Sequence, residues 1–318
     1  MSEVILNMLP LEADERALFE AAAPEATHIY ARRNTVTEEQ LASATVIMGW
    51  PHAGSLSLAA KLRWFHCMWA GVNDYLESGT FPTGAALTSS AGTNSQSVSE
   101  HMLASLLALC RKLHLSRDNQ VRHLWIDTGT MRTIRGATVL VVGAGHIGSQ
   151  FCGLCKALGA HTIGLRRNVT AAPDGMDELH PISDLDSWLP KADVVALCLP
   201  QTPETIGLMN RRRMSLFKRN AILINSGRGT VLDQDALLDA LREGLLWGAA
   251  LDVTDPEPLP AGHPLWDAPN LLITPHVAGG LRLDITRDNC VQLALENLRL
   301  YMASQPLKNT VLPQPRIT

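Results

Sequence analysis

Along the first hundred residues, short apolar runs alternate with longer, more polar segments. Stretches 4–9, 27–30, 44–49 and 64–69 have the length and the β-branched or aromatic content of strands. Stretch 12–22 repeats apolar residues at helical spacing and is stopped by Pro24. The segments between the strands are too long for hairpins, which predicts parallel strands joined by crossover helices. Residues 95–115 read as one long helix. A cleaner alternation begins at Gly136, with strands expected at 138–142, 161–165, 194–199, 221–225, 248–253 and 270–274, mostly separated by helical segments. This is the pattern of a doubly wound dinucleotide-binding sheet. The last element, 284–302, reads as a helix with no strand after it, unable to bury its apolar face alone. No repeat or low-complexity tract interrupts the pattern.

Length fits two domains, at 318 residues. With 27 basic against 31 acidic residues the net charge is −4, so there is no surplus of cations to neutralise a phosphate backbone and nucleic acid is not an expected partner. An apolar share of 46% supports a sizeable core. The opening MSEVILNMLPLEADER lacks a cationic stretch before an apolar run, so no signal peptide is expected. The longest uncharged apolar stretches, such as 102–110, fall short of the roughly 18 residues that span a bilayer. A soluble, cytoplasmic protein with no membrane partner is expected. Six cysteines are scattered without a disulfide rhythm, and the one CxxC pair, Cys152 and Cys155, lies in an amphipathic helical stretch where small packing residues belong. No second pair follows at ligand spacing, so no metal is expected.

The segment TVLVVGAGHIG places Gly143, Gly145 and Gly148 after a β-branched strand and at the start of a helix, with His146 and Ile147 between the last two glycines. In that context the first glycine makes the turn, the second lets the backbone approach a pyrophosphate, and the third lets helix and strand pack closely. The helix N-terminus then offers free N–H groups to the anion. About 20 residues on, where an acid would hold the ribose hydroxyls of NAD, the chain reads Gly164-Leu165-Arg166-Arg167-Asn168. A guanidinium forks onto a 2′-phosphate that a carboxylate would repel. The expectation is NADP(H) in preference to NAD(H), with NAD(H) possible and Arg166 and Arg167 as the binders. The competing reading is a pair of solvated loop arginines.

Hydride chemistry needs a cation to fix and polarise the substrate, a proton donor and a partner that sets the donor's tautomer. Arg228 lies in a glycine-flanked loop past one expected strand, Asp252 ends the next with Glu257 shortly after, and His276 follows the last behind Pro275. Each alone has a plain structural explanation. Together they occupy consecutive strand-end loops, on the rim where such sheets bind ligands.

The stretches VVGAGHIG, INSGRGTVLD, LDVTDPEPLP and TPHVAGG resemble the D-isomer-specific 2-hydroxyacid dehydrogenase family over about 90–282. The resemblance implies an α/β chain of two doubly wound parallel-sheet domains. A Rossmann dinucleotide-binding domain, residues 107–282, would be inserted into a smaller flavodoxin-like substrate domain formed by residues 1–106 and 283–318. Hinges near 91–97 and 279–283 would close the site. By the same likeness Arg228 grips the substrate's carboxylate and carbonyl oxygen. His276 is the acid/base, and Glu257 its hydrogen-bonded partner, keeping the ring protonated for reduction. Asp252 faces the nicotinamide carboxamide, and Pro200 and Ser226 are further cofactor contacts. The loop Trp69-Ala70-Gly71-Val72-Asn73 offers the backbone amides of Ala70, Gly71 and Val72 to the carboxylate. Trp50, in MGWPHAG after a strand, is placed on the rim of the substrate pocket. Homodimers are common in the family.

Arg166 departs from the acid typical of NAD-using members, and since the sequence stops soon after its last helix, the C-terminal regulatory domain of many phosphoglycerate dehydrogenases is not expected. The NADP-type loop, chain length and Trp50 are similar to glyoxylate/hydroxypyruvate reductases. The implied reaction is reduction of a small 2-oxo acid to its D-2-hydroxy acid. The alternatives are a family member acting on larger 2-oxo acids, and an NAD(P)(H)-binding sensor or corepressor-like protein with little turnover. L-Lactate and malate dehydrogenases are excluded by order, since their glycine loop opens the chain.

Overall fold

Buried four-residue runs without charges favour parallel strands covered on both faces, and that is how the first hundred residues fold. The computed structural model describes residues 3–313 apart from Thr170, Asp174 and Arg282. Arg282 belongs to the second expected hinge, and that residue lies outside the described residues. The chain divides into two compact units, Met1–Asn94 with Leu281–Thr318, and Ser95–Gly280.

In the first unit the elements run β1 Val4–Asn7, α1 Ala13–Ala22, β2 Thr27–Tyr30, α2 Glu38–Ser43, β3 Val46–Gly49, β4 Trp64–Cys67, α3 Asn73–Glu77 and β5 Ala86–Ser89. These five strands are parallel in the order β5-β4-β3-β1-β2. The two-residue period sorts their side chains. Ile5, Val46, Trp64 and Ala86 share one face with Phe19, and Leu6, Ile47, Phe65 and Leu87 share the other with Leu41 and Leu56. The C-terminal helix Asp284–Met302 covers the first face through Val291, Ala294, Leu295 and Leu298. Arg287 ties that helix to α1, donating to the Pro10 carbonyl and pairing with Glu15.

Two strands here carry no sequence signal. β5 reads ALTS, and its polar half is buried because Thr88 accepts from the Trp64 indole at 2.9 Å and meets His66 at 2.8 Å. The expectation of no strand after residue 302 is corrected by Thr310–Leu312, which pairs antiparallel with β5 at the sheet edge. Three residues are too few to show a period, so only the pairing reveals them.

The second unit runs α4 Ser95–Cys110, α5 Leu113–Val121, β6 Thr138–Val142, α6 His146–Ala157, β7 His161–Arg166, β8 Glu178–Pro181, α7 Leu185–Trp188, β9 Val194–Leu197, α8 Arg211–Met214, β10 Ala221–Asn225, α9 Gln234–Arg242, β11 Leu246–Leu251 and β12 Leu271–Ile273. All seven strands are parallel, in the order β12-β11-β10-β9-β6-β7-β8. One more strand forms than the six expected, because β8 reads ELHP, half-buried and charged at its start.

The single helix expected over 95–115 is two. α4 packs Val98, Met102, Leu106 and Leu109 on the sheet, ends at Cys110, and lies whole in the second unit rather than dividing at residue 106. Lys112 then turns left-handed, its ammonium donating to the Thr128 carbonyl at 2.7 Å and lying over the Trp247 ring. Cys152 and Cys155 are buried against the same core, which raises both thiol pKa values.

Candidate active site

The glycine loop joins β6 to α6, and its three glycines meet different surroundings. Gly143 sits at φ +104°, and a Cβ there would lie 2.8 Å from the Cys198 carbonyl. At Gly148 a Cβ would run into the Gly143 carbonyl and Val141, so helix and strand pack only with glycine. Around Gly145 nothing lies within 4 Å of where a Cβ would be. That open cradle, at the N-terminus of a twelve-residue helix, fits a pyrophosphate approaching the backbone. His146 and Ile147 begin α6, the first exposed and the second half-buried.

A cavity of about 530 Å³ opens beside the loop, with Gly143, Gly145, Arg166, Arg167 and Pro200 on its wall. Part of its remaining wall comes from residues no motif singled out. Ser183 follows β8, and Arg213 of α8 is held by Asp186 at 2.7 Å and by the Leu208 carbonyl at 2.8 Å. Arg166 ends β7, and its Nε donates to the Asn168 carbonyl at 2.6 Å. Glu204 brings a carboxylate to the same wall, its pKa lowered by a hydrogen bond from the Thr202 hydroxyl at 2.7 Å and by Arg167.

Beyond β10, Asn225 organises the loop that carries Arg228. It is fully buried, accepts from the Gly227 N–H at 3.1 Å and donates to the Arg228 carbonyl at 3.1 Å. The Arg228 guanidinium is half-buried and donates to the Gly227 carbonyl at 2.7 Å. Beyond β11, the Thr254 N–H donates to Glu257 Oε1 at 3.0 Å, and Glu257 Oε2 lies 2.9 Å from His276 Nδ1. Both carboxylate oxygens are thus engaged. His276 Nε2 has no hydrogen-bond partner among the described residues. The expected pair of acid and imidazole is therefore in contact.

His276 itself is left-handed, at φ +50°, an uncommon conformation for a residue with a Cβ. Asp252 explains how it is held. The Asp252 carboxylate, 5% exposed, accepts from the Thr274 hydroxyl at 2.6 Å and from the N–H groups of Val277 at 3.0 Å and Ala278 at 3.1 Å. His276's own N–H donates to the Asp252 carbonyl at 2.9 Å. Asp252 thus clamps the loop on both sides of the histidine, a role the sequence did not disclose. His101 of α4 completes the clamp, with Nε2 3.0 Å from the Thr274 hydroxyl and 3.8 Å from the Asp252 carboxylate. Beside them Ser226 Oγ is buried without a hydrogen-bond partner among the described residues, a polar atom left over for a bound group.

In the first unit the loop 69–73 follows β4. Val72 is buried, and the N–H groups of Ala70, Gly71 and Val72 make no hydrogen bond among the described residues. Trp69 meets Trp50 edge to face, ring centroids 5.9 Å apart. No group of His, Cys, Asp or Glu among the described residues could hold a metal ion. No described helix is long and apolar enough to cross a membrane.

A family model, the NAD binding domain of D-isomer specific 2-hydroxyacid dehydrogenases, matches residues 103–278. The chain belongs to that family. The glycine loop, Arg228, Glu257 and His276 of this dehydrogenase all fall inside the matched region. Among its relatives is a glyoxylate reductase from Aeropyrum pernix, 32% identical over 80% of this chain and 78% of that one. Its fold is shared by a D-isomer specific 2-hydroxyacid dehydrogenase family protein from Aeromonas salmonicida, with a TM-score of 0.84 at 31% identity over 98% of this chain and 99% of that one. It is also shared by an NADPH-dependent glyoxylate/hydroxypyruvate reductase from Sinorhizobium meliloti in complex with NADP and sulfate, with a TM-score of 0.81 at 25% identity over 98% of each chain. The nicotinamide-binding enzyme class expected from the motifs is thereby established.

Proposed function

We propose that this dehydrogenase reduces a small 2-oxo acid of the glyoxylate/hydroxypyruvate type to the D-2-hydroxy acid, using NADPH in preference to NADH. The observation that carries the reading is the contact of His276 Nδ1 with Glu257, which leaves Nε2 as the ring's unengaged nitrogen. The bound nicotinamide would supply the hydride to the C2 carbonyl carbon. The chain's own residues do the rest. Arg228 pairs with the substrate carboxylate and polarises the carbonyl oxygen. The N–H groups of Ala70, Gly71 and Val72 are donors for the same carboxylate, and Trp50 shapes the pocket around a short carbon chain. In the protonated ring Glu257 accepts from Nδ1–H and fixes the ring plane, and Nε2–H passes its proton to the carbonyl oxygen as it gains negative charge. Asp252 holds the loop that aims this proton, and it would face the carboxamide end of a bound cofactor. Pro200 and Ser226 would line the remainder of the cofactor's path.

The preference for NADPH rests on Arg166 and Arg167 at the end of β7, with Arg213 on the same wall and no carboxylate where NAD-users place one. Following absorbance of NADPH and NADH against glyoxylate, hydroxypyruvate, pyruvate and larger 2-oxo acids tests both halves. Faster turnover of bulky 2-oxo acids would remove the substrate assignment. Tight cofactor binding without any turnover would favour a sensor.

Two expectations follow as part of the same reading. The protein works as a homodimer, supported by α5, which buries no residue, and by the exposed Leu113, Val121, Trp125 and Ile126 in and beyond it. It works in the cytoplasm, where its six unpaired cysteines would stay reduced. Light scattering of the purified chain reads the first directly.

A further inference from the structure

The first unit contains a cavity of whose lining the chemistry above uses only Trp50. It has a volume of about 1050 Å³ and lies where β1, β2 and β3 end, lined by the segments that follow each strand. In the order β2-β1-β3 the chain leaves β1 toward one side and returns past it to the other. Such a reversal opens a crevice at the carboxyl ends of the strands, and flavodoxin-like sheets bind ligands there.

Three guanidinium groups line this cavity, those of Arg16, Arg32 and Arg33. None has a carboxylate partner among the described residues. Arg16 lies over the Tyr30 ring, 4.9 Å from its centroid, and Arg33 donates to His52 Nδ1 at 3.2 Å. Against them stands one carboxylate on the lining, Glu12. Deeper in, Asn7 is 1% exposed; its Oδ1 accepts from the Leu9 N–H, but its Nδ2 makes no hydrogen bond among the described residues. A buried amide donor without an acceptor is uncommon unless an acceptor arrives from outside. Tyr30 and Trp50 add aromatic surface to the same wall.

We infer that this cavity binds a small organic anion, a carboxylate or phosphate compound, whose charge is taken by Arg16, Arg32 and Arg33, whose oxygen accepts from Asn7 Nδ2, and whose carbon skeleton lies against Tyr30 and Trp50. The anion has two possible sources, the distal acidic group of a 2-oxo acid substrate or a separate effector.

Calorimetric titration of the full chain with succinate, citrate or inorganic phosphate, with succinamide as the neutral comparison, tests the site without any turnover. A protein that proves inactive with every 2-oxo acid but still binds succinate would sink the functional reading and leave this site standing. Saturable binding of the anions, none of succinamide, and weakening of about 10-fold or more in Arg32→Ala/Arg33→Ala are expected. Arg32→Lys/Arg33→Lys, which keeps the charge, should recover part of the loss. Both arginines are exposed, so a thermal melt matching the parent is expected for either variant. Kinetics separates the sources. For a distal substrate group, the double alanine variant raises KM for a dicarboxylic 2-oxo acid such as oxaloacetate, with glyoxylate unchanged. For an effector, citrate alters glyoxylate turnover without competing with it, and the variant loses that response. Anion affinity unchanged in the double alanine variant, binding of succinamide equal to succinate, or no saturable binding up to about 20 mM overturns the proposal.

Discussion

In the second unit most strand-end side chains around His276 are already partnered with one another. Both Glu257 oxygens are engaged, Asp252 accepts three hydrogen bonds, and Asn225 holds the backbone of Gly227 and Arg228. In the first unit the strand ends present spare binding capacity, namely three guanidiniums without carboxylate partners, the Asn7 Nδ2 donor and the N–H groups of Ala70, Gly71 and Val72, which make no hydrogen bond among the described residues. The difference separates two tasks. A proton donor must be held at one place before substrate arrives, so its surroundings are satisfied in advance. A binding surface keeps its hydrogen-bonding capacity for the ligand.

The contrast breaks most sharply at His276. His276→Gln should lower kcat by about 10³-fold, while fluorescence titration finds NADPH affinity close to the parent's. Parent-like reduction rates would remove the acid/base role. Asp252→Ala frees the loop on both sides of the histidine, and a misplacement on the order of 1 Å costs about 10²-fold in kcat/KM. If Asp252 only packed, that loss would come with a lower melting temperature and unchanged kinetics of the surviving folded fraction.

A third test turns on the buried core of the first unit. His66 is fully buried, and burial pushes its imidazole down from the usual value to about 3. Below pH 6.5 the unfolded chain takes up a proton there that the folded chain refuses until about pH 3, so stability falls as pH falls through that window. Between pH 7 and 5 the loss is about 2 kcal/mol, and urea unfolding of His66→Asn should show a shallower pH dependence over that range. The smallest effect concerns the cofactor wall. Arg167→Ala should raise KM for NADPH about 10-fold and leave that for NADH near the parent value. Equal changes for both would assign the arginine to general electrostatics.

Much of the second sheet is legible because most of its strands are short apolar runs between more polar segments, and because the reactive residues stand at fixed offsets from them. Gly143, Arg228, Glu257 and His276 are all local signals of that kind. β8 escapes notice since a half-buried edge strand can carry charge, and the division of residues 95–115 into two helices escapes it because apolar spacing continues past the point where burial ends. β5 is hidden by its own polarity, which only the Trp64 and His66 side chains justify.

The sequence by itself determined the fold class, the place of the glycine loop and the identity of an imidazole, a carboxylate and a guanidinium on successive loops, because periodicity and turn chemistry act between near neighbours. Tertiary structure alone decided that Asp252 and His101 grip the histidine's loop, that Thr310–Leu312 closes the first sheet, and that Arg16, Arg32, Arg33 and Asn7 share one cavity. Those arrangements join residues far apart in the chain, and they are set by how crossover helices pack on a twisted sheet, which no local pattern encodes.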